Sequence, residues 1–319
     1  MKKKKAFITG IAGFAGSFLA EELVSNGYQV SGSLFGQESS RNIRHLKKDI
    51  TTVKLDIQKL KECHKVLKQI KPDYIFHLAA FSSVGKSFER EKLTYSINFD
   101  GTLNMLNSAL ELKNLKKFIF VSSADSYGLF KPSGKTLSES QPFNPNSPYA
   151  VSKAAAEYAC SYYVSRYGLP VAIARSFNHT GPRQSDTFVV SSFAKQIAQI
   201  ETNKAKPTIF VGDLSAKRDF SDVRDIVRGY RLLAEKGQPG QAYHFCSGKA
   251  VSIKKILELL LKLSVRTITV KTDKARLRKN DIPVLRGSYE KAKKQLGYRP
   301  NYELPETLKD ILDYWRNEQ

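Results

Sequence analysis

The sequence has few cysteines and few acidic residues, and it has no long hydrophobic run. Its three cysteines, Cys63, Cys160 and Cys246, stand far apart and share no ligand spacing with a histidine. This scarcity excludes a disulfide framework, predicts no metal site, and indicates the reduced thiols of a cytoplasmic protein. No stretch reaches the roughly 18–20 consecutive apolar residues of a transmembrane helix, so no membrane partner is expected. The basic run Lys2–Lys5 imitates a secretory signal, but glycines interrupt the uncharged stretch after it.

The shortage of acidic residues leaves a strongly basic chain. Lys and Arg number 52 against 30 Asp and Glu among 319 residues, which gives a formal charge of +22. An excess of this size raises the possibility of a nucleic-acid partner, because solvated cations neutralise phosphates. With 41% apolar and 26% charged residues, the composition is that of a globular protein, so fibrous and mainly disordered classes are excluded. Sequence motifs are needed to identify which anionic ligand or partner this positive charge binds.

Short apolar runs alternate with segments of helical periodicity through the first half of the chain. Strands are predicted at Lys5–Thr9, Gln29–Leu34, Thr52–Leu55, Tyr74–Leu78, Phe118–Ser122 and Val171–Ala174. Helices are predicted at Ala15–Ser25, Leu60–Ile70, Glu89–Leu112 and Tyr149–Tyr167. This alternation predicts an α/β fold, a doubly wound parallel sheet of the Rossmann type.

The alternation loosens later in the chain, which indicates a smaller C-terminal substrate-binding lobe. Its helices are predicted at Phe188–Ile200, Asp222–Ala234, Ser252–Leu263 and Pro305–Trp315. We place the cofactor-binding Rossmann domain at residues 1–177, with a return of the chain to it at about 215–248, and the lobe at 178–214 and 249–319. The turn-rich stretch Leu129–Pro148 is expected to be a long functional loop.

A glycine-rich loop joins the first predicted strand to the first predicted helix, over Thr9-Gly10-Ile11-Ala12-Gly13-Phe14-Ala15-Gly16. Glycines permit a tight turn and close approach of a pyrophosphate, and the N-terminus of the helix offers free N–H groups to that anion. The loop therefore predicts a dinucleotide site. The end of the second strand, Ser31–Phe35, offers neither an acidic residue for the ribose of NADH nor an adjacent arginine for the phosphate of NADPH. Both cofactors stay open.

Tyr149 and Lys153 stand four residues apart at the start of a predicted helix, so their side chains share one face. A neighbouring ammonium favours the phenolate and is expected to lower the pKa of Tyr149 toward the working range. Ser123 follows the fifth strand, at the edge of the sheet where such folds bind ligands. We predict that Ser123 holds a substrate oxygen while Tyr149 gives or takes its proton.

These motifs resemble the extended short-chain dehydrogenase/reductase family over essentially the whole chain. The glycine loop, His77-Leu78-Ala79-Ala80, Asn98 within Ile97–Thr102 and the Tyr149/Lys153 pair carry the resemblance. Three later segments are similar to the GDP-mannose branch of that family, namely Arg175–Gln184, Arg218–Asp225 and Arg278–Leu285. The resemblance implies NADPH or NADH as cofactor, a GDP-sugar as substrate, a homodimer, and no nucleic acid as partner.

The resemblance also implies roles for further residues. The implied cofactor-binding residues are Gly10, Ala12, Gly13, Phe14, Ala15, Gly16, Asp56, Ile57, Leu78, Ala79, Ala80, Asn98, Ser122, Tyr149, Lys153 and Phe177. The implied substrate-binding residues are Ser82, Ser123, Asn178, Val189, Arg218, Arg278 and Asp281. Arg218 and Arg278 would clamp the diphosphate as planar, bidentate donors. Lys279 stands where the family usually has proline, which leaves the turn before Asp281 open.

The resemblance implies two candidate reactions for this chain. One is NAD(P)H-dependent reduction of the C4 keto group of GDP-4-keto-6-deoxy-D-mannose to a GDP-6-deoxyhexose, GDP-rhamnose or its C4 epimer, for surface polysaccharide. The other is 4,6-dehydration of GDP-mannose or a related epimerase or dehydratase reaction, which uses a carboxylate base. The resemblance places that base at Asp125, one methylene shorter than the usual Glu, and Ser123 replaces the usual Thr. Both departures favour reduction, with Asp125 kept as a candidate catalytic residue.

Some prominent residues are better explained by packing. His77 lies inside a predicted strand, so we expect a packed, hydrogen-bonded histidine. The tyrosines at 158, 162, 163 and 167 have helical spacing and are expected to form core or a subunit interface. Arg183 is expected to approach the diphosphate or to face solvent. From a different functional class, a non-catalytic protein that binds nucleic acid through its basic surface remains the alternative.

Overall fold

The computed structural model describes residues 3–36, 40–129, 136–273 and 282–319. Its strands are β1 (Lys5–Thr9), β2 (Gln29–Leu34), β3 (Ile50–Lys54), β4 (Tyr74–His77), β5 (Lys117–Ser123), β6 (Val171–Ser176), β7 (Asn178–Thr180), β8 (Thr208–Val211), β9 (Lys217–Asp222), β10 (Ala242–Phe245), β11 (Ala250–Ser252), β12 (Thr269–Thr272) and β13 (Val284–Leu285). Its α-helices are α1 (Phe14–Ser25), α2 (Leu60–Ile70), α3 (Val84–Ser87), α4 (Glu91–Tyr95), α5 (Gly101–Ala109), α6 (Pro148–Tyr167), α7 (Val189–Glu201), α8 (Val223–Lys236), α9 (Ile253–Leu263), α10 (Glu290–Leu296) and α11 (Leu304–Asn317). Arg41–Leu46 and Ala124–Tyr127 form 3₁₀ turns, and Ser96–Asp100 forms a π-helical segment.

The largest sheet of the described chain has seven parallel strands in the order β3-β2-β1-β4-β5-β6-β10. The strand order reverses between β1 and β4, and in such sheets ligands bind outside the carboxyl ends of the strands at this reversal. Thr9 lies opposite His77 there, and Ser123 lies opposite Ser176 on the neighbouring pair. The sheet confirms the predicted doubly wound α/β fold.

Helices cover both faces of this sheet, as the uniformly apolar strands require. In β1, Ala6 and Ile8 pack into the layer that contains α1 and α8, while Phe7 packs into the layer that contains α2, α5 and α6. All three side chains are buried. Successive residues of β1 thus pack alternately into the two cores, which explains why Ala6, Phe7 and Ile8 are all apolar.

The remaining elements build a lobe with its own core beside the sheet. Helices α7, α9 and α11 pack together through side chains such as Phe193, Ile256 and Leu308. Short strands surround β9, which pairs with β7, β11 and β13, while β8 pairs with β12. Between β9 and β11 the chain returns from the lobe to the large sheet. There α8 packs on α1, and β10 pairs with β6 at the edge of the seven-stranded sheet.

Several helices differ from the prediction. The helix predicted over Glu89–Leu112 is divided into α4, the π segment and α5, because one extra residue is inserted into the helical ladder around the buried Asn98. Helix α10 was not predicted, since its three lysines leave only Ala292 and Leu296 buried and obscure the apolar period. Within the described residues, no helix combines the length and the apolar character needed to cross a membrane.

Candidate active site

A cleft of about 1440 Å³ opens at the carboxyl ends of the central strands and extends to the lobe. The glycine loop, the end of β5 and the start of α6 form its wall on the side of the sheet. Val189 of α7 and Arg218 of β9 line it on the side of the lobe. The cleft therefore combines the predicted cofactor and substrate regions in one continuous space.

Most of the predicted site residues line this cleft. They are Gly10, Gly13, Phe14, Ala15, Gly16, Asp56, Ile57, Leu78, Ala79, Ala80, Ser82, Ser122, Ser123, Asp125, Tyr149, Lys153, Phe177, Asn178, Val189 and Arg218. Arg278 and Asp281, together with the neighbouring Lys279, lie outside the described residues. Ala12 and Asn98 do not form part of the lining.

Ala12 and Asn98 support the cleft from behind. The side chain of Ala12 is buried in the core against α1, and its carbonyl accepts a hydrogen bond from Asn42 Nδ2 at 3.0 Å. Asn98 Oδ1 accepts the N–H of Phe81 at 2.7 Å, and Asn98 Nδ2 donates to Phe81 O at 3.2 Å and to Ser152 Oγ at 2.9 Å. Asn98 thus fastens the loop after β4 to α6. Sequence motifs do not distinguish such a brace from a contact residue.

The glycine loop leaves the N-terminus of α1 open to an anion. Gly10 has a φ of +71°, and a Cβ on Gly16 would lie 2.1 Å from the Gly10 carbonyl oxygen, so the turn requires glycine at both positions. Helix α1 begins at Phe14 with no side-chain cap and no acidic residue in its first turn. Its first N–H groups and its dipole therefore face the cleft without an internal counter-charge.

The lining fits a dinucleotide. Besides the open helix end, Ser122 Oγ and Asn178 Oδ1 are buried cleft atoms that have no hydrogen-bond partner among the described residues. At the end of β2, Ser33 Oγ accepts a hydrogen bond from the N–H of Gly10 at 3.1 Å, and Phe35 lines the cleft. This strand end has no acidic residue that could bind the ribose of NADH, as the sequence indicates. Arg41 pairs with Glu318 instead of lining the cleft. The residues present therefore suit NADPH or NADH.

A chain of hydrogen bonds that the sequence motifs did not reveal holds the floor of the cleft. The Thr9 hydroxyl accepts the N–H groups of Leu78 and Ala79 at 3.0 Å each, so it donates its own hydrogen to His77 Nδ1 at 2.9 Å. His77 Nε2 then donates to Thr102 Oγ1 at 3.1 Å. His77 is thus a packed, hydrogen-bonded residue, as expected, and burial lowers its pKa to about 3.

Ser123, Asp125 and Tyr149 meet at the end of β5. Ser123 Oγ accepts the N–H of Asp125 at 3.1 Å and donates to Asp125 Oδ2 at 3.3 Å. Burial raises the pKa of Tyr149 well above its usual value, the charge of Asp125 raises it further, and hydrogen bonding with Ser123 lowers it. Tyr149 is therefore a neutral phenol at physiological pH in the folded chain.

Lys153 lies one helical turn after Tyr149, with Nζ 4.9 Å from the centroid of the Phe120 ring. Burial lowers the pKa of Lys153 to about 8. The expected lowering of the Tyr149 pKa by this ammonium is wrong for this structure, because burial of the phenol and the carboxylate of Asp125 outweigh any effect of Lys153. The spacing of four residues predicts that Tyr149 and Lys153 lie on the same face of α6. It does not predict how burial and neighbouring charges together set the pKa of Tyr149.

On the side of the lobe, two residues behave in ways that the sequence did not indicate. Arg183 Nη1 donates to Glu21 Oε1 at 2.7 Å and its guanidinium lies 3.6 Å from the Phe18 ring centroid, so it anchors α1 and reaches neither the cleft nor open solvent. His179 lines the cleft, and its ring stacks on that of Phe14 with centroids 5.9 Å apart. Only the folded backbone brings His179 to the glycine loop.

Comparison with known proteins gives consistent results. A family model described as GDP-mannose 4,6 dehydratase matches residues 7–311. The GDP-6-deoxy-D-mannose reductase of Pseudomonas aeruginosa is 35% identical over 247 residues, which cover 77% of this chain and 81% of that protein. A GDP-mannose 4,6-dehydratase of Vibrio cholerae is 28% identical over 97% of this chain and 93% of its own. The solved structure of RMD from Pseudomonas aeruginosa complexed with NADPH has a TM-score of 0.85 at 28% identity, over 99% of this chain and 100% of that one.

Proposed function

We propose that this chain, which belongs to the GDP-mannose 4,6-dehydratase family of extended short-chain dehydrogenases/reductases, reduces the keto group of a GDP-linked sugar. The family is NAD(P)-dependent, and the cofactor of this chain is NADPH or NADH. The proposed substrate is GDP-4-keto-6-deoxy-D-mannose, and the proposed product is a GDP-6-deoxyhexose, GDP-rhamnose or its C4 epimer. Such a product would serve the synthesis of surface polysaccharide.

The arrangement of Tyr149, Ser123 and Asp125 carries this proposal. Reduction of a ketone requires a proton donor beside the carbonyl oxygen, whereas the first step of dehydration, oxidation at C4, requires a proton acceptor there. Burial and the charge of Asp125 raise the pKa of Tyr149, which favours the protonated form that donates a proton in reduction. The carboxylate of Asp125 is hydrogen-bonded to Ser123. The resemblance implies a glutamate as the base for elimination at C5, and Asp125 is one methylene shorter.

The residues of the cleft divide the chemistry among them. When bound, the cofactor supplies the hydride that reduces C4 of the sugar. Ser123 orients the carbonyl, and Tyr149 donates its hydroxyl proton to the C4 oxygen as that oxygen gains negative charge. Lys153, one helical turn after Tyr149 and buried, would hold the nicotinamide ribose and would return a proton to the phenolate after turnover, regaining its own proton from solvent.

The lobe provides the cation that a sugar nucleotide requires. Arg218 lines the cleft, and its Nη1 donates to Lys217 O at 2.9 Å and to Ile282 O at 2.5 Å, which fix the direction of the side chain. A guanidinium held in this way suits bidentate contact with a diphosphate. We propose that Ser82, Asn178 and Val189, which line the same space, contact the sugar and the nucleotide.

The alternative reaction is 4,6-dehydration of GDP-mannose. It is favoured by the family model and by dehydratase relatives such as that of Vibrio cholerae. In this reaction Asp125 would remove the proton at C5, and the cofactor would be regenerated in each turnover. The two reactions therefore differ in cofactor stoichiometry, which makes them separable in a single assay.

The decisive experiment supplies GDP-4-keto-6-deoxy-D-mannose with NADPH or NADH and follows both reactants. We expect one equivalent of reduced cofactor to be consumed for each GDP-6-deoxyhexose formed, and NMR of the product assigns its configuration at C4. GDP-mannose with oxidised cofactor provides the matched control and is expected to remain unchanged. Turnover of GDP-mannose with no net change in cofactor would overturn the reductase assignment.

We also propose a cytoplasmic homodimer that contacts no nucleic acid. The cysteines Cys63, Cys160 and Cys246 are buried free thiols, which suits a reducing compartment. Helix α6 exposes Tyr158, Tyr162 and Tyr167 by half or more of their surface, although Tyr163 is buried. A row of exposed tyrosines is typical of a protein interface. The anionic cofactor and GDP-sugar proposed for the cleft account for part of the positive charge, through cations such as Lys153 and Arg218.

A further inference from the structure

Glu157 lies one helical turn after Lys153 on α6, and the side chains of both residues are buried. A carboxylate is rarely buried unless it is paired. Glu157 does not line the cleft, so it has no place among the groups that contact cofactor or substrate. Its position beside the buried amine requires a separate explanation.

Arg175 of β6 fixes the carboxylate of Glu157 from one side. Glu157 Oε1 accepts a hydrogen bond from Arg175 Nε at 2.8 Å and forms an ion pair with Nη2 at 2.6 Å. Arg175 Nη1 in turn donates to the Tyr127 hydroxyl at 2.6 Å and to Glu139 O at 2.7 Å, which hold the guanidinium in place. Glu157 Oε2 is buried and has no hydrogen-bond partner among the described residues. The Arg175 guanidinium thus contacts only one of the two carboxylate oxygens.

We propose that Glu157 is a positioning residue that keeps Lys153 charged, and that it thereby sets the upper pH limit at which the Tyr149/Lys153 pair works. A fixed negative charge one turn along a buried helix face favours an ammonium over an amine. The inference about turnover rests on the proposed function. The inference about the charge of Lys153 does not.

The other ionisable groups near Lys153 do not supply a negative charge that would stabilise its ammonium. Cys160 on α6 would also favour the ammonium as a thiolate, but burial raises its pKa well above the usual value, so it is neutral where Lys153 titrates. His77 on β4 is neutral, since burial lowers its pKa to about 3. Asp125 acts on the adjacent Tyr149.

The remaining elements packed against α6 add no buried charge of their own. Helix α3, α4 and the π segment bury Ser87, Thr94 and Asn98, and the buried residues of α5 are not ionisable. Tyr230 of α8, which packs on β5 and β6, is a neutral phenol, because burial raises its pKa. Burial lowers the pKa of Lys153 to about 8, and Glu157 opposes that fall.

The test measures the pKa of Lys153 directly, by NMR titration of ¹³C-labelled lysine side chains, with the Lys153 signal assigned by its loss in Lys153→Arg. We expect Glu157→Gln to lower this pKa by roughly one unit or more, as removal of a charge one helical turn away in a buried site would do. Cys160→Ala, one turn further along the same buried face, is the matched control and should leave the pKa unchanged. Glu157→Asp, which keeps the charge, should restore most of the value.

The same variants separate this inference from the proposed function. In steady-state assays with GDP-4-keto-6-deoxy-D-mannose, the alkaline limb of the kcat profile should move to lower pH in Glu157→Gln by the shift that NMR reports. If the wild type turns over no such substrate, the proposed function fails while the NMR titration still decides the role of Glu157. A folded Glu157→Gln with an unchanged Lys153 pKa overturns the inference.

A second variant covers the case in which Glu157→Gln fails to fold because Arg175 is left buried without a counter-charge. The double variant Glu157→Gln with Arg175→Gln removes both charges and allows an amide–amide hydrogen bond in their place. The pKa of Lys153 should still fall, because the carboxylate that favours its ammonium is removed. An unchanged or raised value in the double variant also overturns the inference.

Discussion

Ser123 and Asp125 hold each other in place at the end of β5: Ser123 Oγ accepts the N–H of Asp125 at 3.1 Å and donates to Asp125 Oδ2 at 3.3 Å. The carboxylate therefore lies beside Tyr149 as part of a closed turn. This relationship decides what Asp125 contributes to the reaction. In a reductase it orders the serine, and in a dehydratase it would have to reach the sugar.

The first prediction concerns Asp125→Asn. The amide keeps the turn, so NAD(P)H oxidation with the keto sugar should stay within a factor of about ten of the wild type, whereas loss of an essential general base costs about 10²–10⁴-fold. Steady-state kinetics with GDP-4-keto-6-deoxy-D-mannose measure the effect. Ser123→Ala provides the comparison and should lose more activity, since it removes the group that orients the carbonyl. A collapse of activity in Asp125→Asn alone would contradict this division of roles.

The second prediction concerns Tyr149→Phe. Loss of the hydroxyl removes the proton donor and should lower kcat by about 10²–10⁴-fold. The ring remains and keeps its packing, so the Kd for NADPH or NADH, measured by fluorescence titration, should hardly change. Tyr230→Phe is a suitable control, because Tyr230 is also buried and lines the cleft but hydrogen-bonds to Ser176. Full activity of Tyr149→Phe would remove Tyr149 from its role.

The third prediction concerns the glycine loop. A methyl group on Gly16 would meet the Gly10 carbonyl oxygen at 2.1 Å, so Gly16→Ala must displace the turn and should abolish measurable cofactor binding. On Gly13 the same methyl group meets that oxygen at 3.2 Å, which a small shift relieves, so Gly13→Ala should weaken binding less. Calorimetric titration with NADPH compares the two. Equal affinities for the two variants would be incompatible with the geometry of this turn.

The fourth prediction concerns pH and His77. Burial and the nearby charge of Lys153 lower the pKa of His77 to about 3 from the usual 6.5. Its Nδ1 also accepts a hydrogen from Thr9, which a protonated ring could not do. Between these values the unfolded chain binds the extra proton. The free energy of unfolding therefore falls as the pH falls through this range, by up to about 1.4 kcal/mol per pH unit. Above the usual value the contribution is constant.

Urea unfolding of the wild type and of His77→Asn at several pH values tests this dependence. Carboxylates contribute equally to both proteins, so the difference between the two curves isolates the histidine. The wild type should lose its advantage as the solution becomes more acidic. Two curves that run parallel through this range would show that His77 titrates normally in the folded chain.

The fifth prediction concerns subunit association. Tyr158→Lys combined with Tyr162→Lys places two charges on the exposed face of α6 and should convert a dimer to a monomer in sedimentation velocity experiments. Val265→Lys, at an exposed apolar residue beyond α9 in the lobe, is the control and should sediment like the wild type. A wild-type chain that sediments as a monomer at micromolar concentration would refute the proposed dimer.

Local patterns were sufficient to predict much of this fold and part of the site. Each predicted feature depends on residues that are close together in the sequence, so it can be recognised from the sequence alone. Examples are the apolar run of β1, the glycines at 10, 13 and 16, and the spacing of Tyr149 and Lys153. The small sheet around β9 was not predicted, because its strands are short and pair across long separations. The pKa of Tyr149 was predicted in the wrong direction, since burial is a property of the whole fold.

Long-range partners explain the rest of what the sequence did not reveal. Glu157 and Arg175 lie on α6 and β6 and meet only when the helix packs on the sheet. Thr9 and His77 are 68 residues apart and become neighbours through the pairing of β1 with β4. In both cases the residue types are ordinary. Their chemistry follows from the neighbours that the topology assigns to them.

The return of the chain from the lobe to the seven-stranded sheet limits how this protein can be divided or recombined. Helix α8, with Ile226, Tyr230 and Leu233, covers the same face as α1, and β10 completes the sheet edge beside β6. A fragment that ends after β6 would leave this face and this edge exposed to water and to other chains. The nucleotide-binding half is therefore not a transferable module. New sugar specificities in this architecture are therefore expected to arise by substitution of residues that line the cleft, because exchanging whole domains would break the core.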